Sequence, residues 1–212
     1  MRRFNAVIFD LDGVICTTDE YHYQAWKKMA DSIGVYFDRT INNRLRGISR
    51  MASLDIILES CPYKYSAAEK NELADRKNEM YKELLRNMSP EDLPLEVKET
   101  LEALRKKGYL LAIGSSSKNT PLILHQIGLS SFFDAVSDGN NITKSKPDPE
   151  VFEKAARMLC VSPEKCLIIE DAVAGAEAAH AGGMKAACVG DAAAEGAGDY
   201  NMSSIRELLD IL

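Results

Sequence analysis

The sequence predicts an α/β fold, a Rossmann-like parallel sheet core with helices on both faces that is interrupted by an inserted all-α cap domain. Two observations lead to this prediction. Short apolar runs alternate with helical patterns from residue 96 onward, as in proteins built on a parallel sheet. Between the first apolar run, 4–9, and the second, 109–114, lies a block with helical signals and no strand pattern.

The first run predicts a buried strand, and the block after it predicts three helices. Their starts are marked by residues that cap helix N-termini. The predicted helices begin at the pair Thr17 and Glu20, at Ser49, and at the pair Ser66 and Glu69, and the first and third end near residues 33 and 85. Pro90 and Pro94 then mark a linker. The predicted domains are a catalytic core, 1–16 and 89–212, and a helical cap, 17–88, hinged over the carboxyl ends of the strands.

The remainder of the chain continues the alternation. Further strands are predicted at 109–114, 133–136, 166–169 and, as the last one, 185–189. Helices are predicted over 96–107, from Pro121, from Pro149, over 172–181 and after Ser204. The Ala/Gly-rich, acidic stretch 190–199 predicts a loop.

Composition excludes several classes of partner. The chain is acidic, with a net charge of −6 and a pI of about 5.2, and has no basic stripe, which argues against nucleic acid and anionic membranes as partners. Its five cysteines are odd in number and lack paired spacing, so we expect free thiols in a reducing cytoplasm. No signal peptide or membrane span is apparent, and we expect a monomer.

Polar clusters follow the predicted strands and should converge at one edge of the sheet. They are Asp10 with Asp12, the run 115–119, Lys146, and Glu170 with Asp171. Carboxylates suit a hard cation such as Mg²⁺, and a hydroxyl-rich loop with a lysine suits a phosphoryl group. Each cluster alone also fits a turn, a solvated lysine or a helix cap.

These same residues resemble the four motifs of the haloacid dehalogenase superfamily. The matching segments are DLDGV from Asp10, Ser115 after the second strand, Lys146 in SKPDP, and the ED pair at Glu170. Finer matches resemble the β-phosphoglucomutase family within it, namely EYHYQAW (20–26), RGISR (46–50), RKN (76–78) and SSSKN (115–119). The resemblance covers nearly the whole chain.

The resemblance implies a mutase that converts β-D-glucose 1-phosphate to glucose 6-phosphate through a phosphoaspartyl enzyme and β-glucose 1,6-bisphosphate. Asp10 would be the nucleophile and Asp12 the general acid and base. Ser115 and Lys146 would stabilise the phosphoryl oxygens. The implied Mg²⁺ ligands are the Asp10 carboxylate, the Asp12 main-chain carbonyl, and Asp171 with Glu170 nearby.

The resemblance also implies a set of substrate-binding residues. They are Thr18, His22, Trp26, Arg46, Gly47, Ile48, Ser49, Arg50, Lys77, Ser116, Ser117, Lys118 and Asn119. Arg50 would grip the second phosphate, and His22 would help to position Asp12. Without the resemblance, packing into the core of the cap is the better interpretation of His22 and Trp26, and a surface position in the first turn of a helix is the better interpretation of Arg50.

Four positions depart from the family pattern. Ala172 replaces a usual Ser, Arg46 a usual Lys, and Cys16-Thr17 a Thr-Asp hinge.

The alternatives to a mutase are a sugar-phosphate phosphatase on the same scaffold and a non-catalytic phosphate-sensing module. An intact acid/base two residues beyond a nucleophile argues against the sensing module.

Overall fold

The computed structural model describes residues 2–45 and 49–212. The strands are β1 Ala6–Phe9, β2 Leu110–Gly114, β3 Ala135–Ser137, β4 Cys166–Glu170, β5 Lys185–Cys188 and β6 Tyr200–Asn201. They form one parallel sheet in the order β3-β2-β1-β4-β5-β6. This architecture confirms the predicted parallel α/β core.

The α-helices account for most of the remaining regular structure. They are α1 Asp19–Ser32, α2 Arg39–Asn43, α3 Arg50–Ile57, α4 Ala67–Leu85, α5 Leu95–Lys106, α6 Thr120–Gln126, α7 Glu150–Met158, α8 Val173–Ala181, α9 Gly190–Ala194 and α10 Leu208–Ile211. The chain divides into two compact units, Met1–Thr17 with Ser89–Leu212, and Thr18–Met88. Within the described residues, no helix is long and apolar enough to span a lipid bilayer.

The core unit covers both faces of its sheet. Ala6 and Ile8 of the central strand β1 share a buried cluster with Phe152 of α7 and with α8. Val7 and Phe9 alternate to the opposite face and are equally buried. A strand that is apolar on both sides is typical of a parallel sheet with helices on each face.

The helical unit has its own apolar core, and two of its predicted caps are confirmed. Trp26, Met29 and Phe37 pack with residues of α3 and α4 in one buried cluster. The Ser49 side chain accepts the N–H of Ala52 at the start of α3. Ser66 and Glu69 form a reciprocal capping box at the start of α4.

The capping pair predicted at the start of α1 is wrong. The helix begins at Asp19, and its N-cap is Thr18, whose side chain makes no capping hydrogen bond. Glu20 does not reach back to the backbone, because its carboxylate accepts hydrogen bonds from Gln24 at 3.0 Å and Arg39 at 2.9 Å. Two acidic residues in the first turn interact favourably with the helix dipole and stabilise this end instead.

Two further predictions need correction, and one helix was missed. The strand over 185–189 is not the last, since β6 pairs with β5 through two residues. The predicted loop at 190–199 contains α9, a helix of five residues that are mostly glycine and alanine. The helix α2 was not predicted, although Asp38 caps it by accepting the Ile41 N–H at 2.8 Å. Each segment is too short to produce a clear periodicity.

We expect Thr100→Val to stabilise the folded protein by about 1 kcal/mol, because it removes a buried hydroxyl that forms no hydrogen bond. Thr100 on α5 is fully buried, and its Oγ1 has no partner among the described residues. Thr120→Val is the matched control. Thr120 is equally buried, but its Oγ1 donates to the Ser117 carbonyl at 3.0 Å. Urea unfolding should show a higher free energy of unfolding for Thr100→Val and a lower one for Thr120→Val. A lower free energy of unfolding for both variants would contradict this account.

A second prediction concerns Asp199, which accepts hydrogen bonds from Lys185, His180 and the Ala186 N–H. Burial acts to raise the pKa of Asp199, but these three donors together lower it to about 2. Because this value lies below the unfolded value of about 3.9, the ionised carboxylate stabilises the fold above about pH 4. That contribution is lost as the pH falls toward 2.

Asp199→Asn should therefore lower the free energy of unfolding at pH 7, and the difference from the wild type should shrink between pH 4 and pH 2. Urea midpoints measured across this range test the prediction, with exposed Asp210→Asn as the control. A difference that stays constant down to pH 3 would count against it.

Candidate active site

Asp10 lies directly beyond β1, at the carboxyl end of the central strand. Its N–H donates to the Ile169 carbonyl of β4 at 2.9 Å, which extends the strand pairing by one residue. The side chain is buried, and Oδ1 pairs with the Lys146 ammonium. Burial raises the pKa of Asp10 well above its usual value, although Lys146 acts in the opposite direction. An ionised carboxylate at this position therefore depends on nearby positive charge.

Lys146 bridges two buried carboxylates. Its Nζ also lies 2.6 Å from Glu170 Oε1. Burial acts to lower the pKa of Lys146, but the charges of Asp10 and Glu170 raise it above its ordinary value, so the amine stays protonated. The ammonium further lies 4.6 Å from the centroid of the Phe152 ring, within the range of a cation–π contact.

Glu170 ends β4 and is held on both carboxylate oxygens. Oε1 pairs with Lys146, and Oε2 accepts the N–H groups of Asp171 at 2.7 Å and Ala172 at 2.9 Å. Helix α8 packs directly on this carboxylate, because a Cβ at Gly175 would lie 1.9 Å from Glu170 Oε1. A glycine is therefore required for this approach.

Three carboxylates form a cluster that could hold a metal ion. Asp10, Glu170 and Asp171 each offer an oxygen, and these oxygens lie within 4.8 Å of one another. Burial and the neighbouring charge of Glu170 raise the pKa of Asp171 to about 7. The negative charges exceed the single positive charge of Lys146. Carboxylate oxygens are the ligands that hard divalent cations prefer, so the donor set fits such an ion.

Asp12 lies in a tight turn beside this cluster. The Gly13 N–H donates to the Cys16 carbonyl at 2.8 Å, and Gly13 has a φ of +88°, a conformation that favours glycine. A Cβ at Gly13 would lie 2.1 Å from Asp171 Oδ2. Burial is the largest cause of the raised pKa of Asp10, and the negative charge of Asp12 is one of the further causes. The turn therefore brings Asp12 close to the buried acids.

The 115–119 loop follows β2 at the same edge of the sheet. Phe9 pairs with Ile113, so Asp10 is level with the last residue of β2. Within the loop, Ser115 Oγ accepts the Ser117 N–H at 3.2 Å, and Ser117 Oγ accepts the Asn119 N–H at 3.2 Å. These bonds curl the backbone into a compact turn, on which Lys118 is exposed and Ser116 half-buried.

In the helical unit, His22, Trp26 and Lys77 form one cluster. Lys77 Nζ lies 2.8 Å from His22 Nδ1 and within 4.7 Å of the ring centroids of both Trp26 and Tyr81. The pKa of His22 lies well below its usual value. Burial is the largest cause, and the positive charges of Lys77 and Arg50 lower the pKa further. A neutral imidazole that accepts from Lys77 at Nδ1 carries its proton on Nε2.

Thr18 and Arg50 lie at the N-terminal ends of two helices of this unit. The buried Thr18 carbonyl accepts the His22 N–H at 3.0 Å. Arg50, the first residue of α3 after its cap Ser49, donates to Asn78 Oδ1 at 2.9 Å. Burial lowers the pKa of Arg50. The predicted residues Arg46, Gly47 and Ile48 lie outside the described residues.

Several contacting residues were not identified from the sequence. They are Asn78 beside Arg50, Tyr81 stacked on His22, Phe152 against Lys146, and Gly175 against Glu170. Asn78 is the last residue of the RKN motif, and Tyr81 follows Lys77 by one helical turn, so both had a local signal. Phe152 and Gly175 had none, because their role depends on packing between distant segments.

Known proteins resemble this chain in sequence and in structure. A sequence model of the haloacid dehalogenase-like hydrolase family matches residues 4–183. The β-phosphoglucomutase of Bacillus subtilis is 46% identical over 187 residues, which cover 87% of this chain and 83% of that protein. The crystal structure of a β-phosphoglucomutase from Clostridium difficile is similar with a TM-score of 0.89 and 36% identity, over 97% of this chain and 93% of that chain.

A phosphatase is also among the relatives. The phosphorylated carbohydrates phosphatase of Thermotoga maritima is 31% identical over 183 residues, which cover 85% of this chain and 82% of that protein. The family match extends over most of the sequence and includes every strand from β1 to β4. This chain belongs to the haloacid dehalogenase-like hydrolase family.

Proposed function

We propose that this chain is a β-phosphoglucomutase, which interconverts β-D-glucose 1-phosphate and glucose 6-phosphate through β-glucose 1,6-bisphosphate. The observation that carries the proposal is the buried group in which Lys146 pairs with Asp10 and Glu170 beside Asp171. A carboxylate held between an ammonium and a metal-binding cluster suits attack on phosphorus. The 46% identity to a mutase, against 31% to a phosphatase, favours the mutase.

In the proposed reaction, an Asp10 carboxylate oxygen attacks the 1-phosphoryl group of β-glucose 1,6-bisphosphate, the bond from phosphorus to the C1 oxygen breaks, and glucose 6-phosphate leaves. The 6-hydroxyl of β-glucose 1-phosphate then attacks the aspartyl phosphate, which forms β-glucose 1,6-bisphosphate again and releases the Asp10 carboxylate. Asp12 protonates the leaving sugar oxygen in the first step and deprotonates the attacking hydroxyl in the second. Lys146 and Ser115 stabilise the negative charge on the phosphoryl oxygens.

The proposed cofactor is Mg²⁺, which when bound would supply positive charge to the phosphoryl oxygens. Asp10, the Asp12 main-chain carbonyl, and Asp171 with Glu170 nearby would hold it. The excess of buried negative charge in the cluster supports a divalent cation here. The chain itself holds Glu170 by Lys146 and two N–H groups, which orients it before any ion binds.

Residues 17–88 are the proposed cap domain, and 1–16 with 89–212 the proposed catalytic core. Thr18, His22, Trp26, Ser49, Arg50 and Lys77 are the proposed sugar-phosphate residues of the cap, together with Arg46, Gly47 and Ile48. The neutral His22 is suited to donate a hydrogen bond from Nε2, and Arg50 to grip a phosphate bidentately. Ser116, Ser117, Lys118 and Asn119 are the proposed contacts from the core.

The proposed working form is a monomer in the cytoplasm. All five cysteines are free thiols, as is typical of a reducing compartment. A small-molecule sugar phosphate is the proposed partner.

A sugar-phosphate phosphatase is the second candidate, because the relative at 31% identity is one. The test supplies β-glucose 1-phosphate, trace β-glucose 1,6-bisphosphate and Mg²⁺, and follows glucose 6-phosphate and free phosphate together. We expect glucose 6-phosphate to form faster than free phosphate, because a mutase passes the phosphoryl group to sugar instead of water. Phosphate release that equals or exceeds isomerisation would establish the phosphatase instead.

Asp12→Asn should reduce kcat by about 10²–10⁴-fold, the usual contribution of a general acid and base. The amide keeps the shape and the main-chain carbonyl but cannot exchange a proton at neutral pH. Binding of Mg²⁺, measured by calorimetry, should remain, and Asp191→Asn, a carboxylate outside the proposed machinery, should keep normal turnover. Near-normal turnover of Asp12→Asn would exclude the acid/base role.

A further inference from the structure

The 115–119 loop is held at its first residue by the sheet. The Ser115 N–H donates to the Ser137 carbonyl at 3.0 Å, which continues the pairing of β2 with β3. This bond positions the end of the loop that is nearest to the level of Asp10. It leaves the rest of the loop to be held by other contacts.

The second half of the loop is held by residues 138–140, which directly follow β3 and are named here the 138–140 turn. The Gly139 N–H donates to the Ser117 carbonyl at 3.1 Å. A Cβ at Gly139 would lie 2.5 Å from the Ser116 carbonyl oxygen and 2.8 Å from the Lys118 nitrogen. The two backbones are therefore in direct contact, and only glycine permits it.

Asn140 adds a side-chain bond to this contact. Its Nδ2 donates to the Lys118 carbonyl at 2.9 Å and to Asp138 Oδ2 at 3.2 Å, while its backbone N–H donates to Asp138 Oδ1 at 2.8 Å. Asp138 is buried, so its carboxylate orients the Asn140 amide from a fixed position. The chain of contacts runs from Asp138 through Asn140 to Lys118.

We propose that Asn140, oriented by Asp138, is a positioning residue for sugar-phosphate binding, acting through the Ser117–Lys118 backbone. This inference rests on the proposed function and deepens it. The exposed Lys118 and the half-buried Ser117 belong to the half of the loop that the 138–140 turn holds. A substrate that extends away from Asp10 depends on that half, whereas the reacting phosphoryl group depends on Ser115.

The neighbouring Asn141 provides a matched control. It accepts from the Asp138 N–H at 3.2 Å and donates to the Val136 carbonyl at 3.2 Å. Its side chain therefore stabilises the end of β3 and has no bond to the 115–119 loop. Asn140→Ala and Asn141→Ala remove the same chemical group from adjacent positions of one segment.

The experiment measures KM and kcat of the wild type and both variants with β-glucose 1-phosphate, and the hydrolysis of acetyl phosphate, a donor without a sugar. Asn140→Ala should raise the KM for the sugar phosphate about tenfold while kcat and acetyl phosphate hydrolysis change little, since only the outer half of the loop is released. Asn141→Ala should keep the wild-type KM. Gly139→Ala serves as a second variant if Asn140→Ala does not fold, and it should raise the KM in the same way.

Two results would overturn the inference. One is an equal rise in KM for both asparagine variants, which would assign the effect to the general stability of the segment. The other is a parallel loss of acetyl phosphate hydrolysis in Asn140→Ala, which would mean that the whole site is disturbed. Failure of the proposed function is seen separately, in the wild type, as hydrolysis without isomerisation, and the KM comparison then proceeds on hydrolysis.

Discussion

The pairing of Lys146 with Asp10 and Glu170 is the interaction on which the rest of the core site depends. All three side chains are buried, and a charge that is buried alone loses the free energy of its hydration. One ammonium cannot balance two carboxylates, and Asp171 adds further negative charge. Burial and the neighbouring carboxylates therefore raise the pKa values of Asp10 and Asp171, and a bound cation would favour the ionised carboxylates.

Close backbone approach explains how the fold supports this charge cluster. Gly13 brings its turn against Asp171, Gly175 brings α8 against Glu170, and Gly139 brings the segment after β3 against the 115–119 loop. At each of these positions a Cβ would lie within 2.5 Å of a neighbouring atom. The acids and the loop are thus positioned by backbone packing as well as by hydrogen bonds, which limits the movement of the groups that would contact a phosphoryl group.

The helical unit positions its cations differently from the core. Lys77 contacts the neutral His22 ring nitrogen and two aromatic faces, and Arg50 donates to a neutral amide. In the core, by contrast, Lys146 is held by two carboxylates.

Local signals predicted much of the fold and the main candidates for the site. The buried strand that Asp10 follows, and the caps at Ser49 and Ser66, involve residues only a few positions apart, so the sequence pattern predicts them. The same local reasoning failed at Thr17, where Glu20 pairs with Arg39 instead of the backbone, and at β6, which is only two residues long. Tertiary contacts overrode or replaced the local preference in both cases.

The sequence by itself determined the alternation of strands and helices, the helical insertion and the order of the acidic and hydroxyl motifs. Only the tertiary structure decided which side chains contact one another. Lys146 contacts Asp10, which is 136 residues away in sequence, and Lys77 contacts His22, which is 55 residues away. The reason is physical. Capping and periodicity act within one or two turns of chain, whereas ion pairing, desolvation and the shifted pKa values depend on distances between segments that the fold alone brings together.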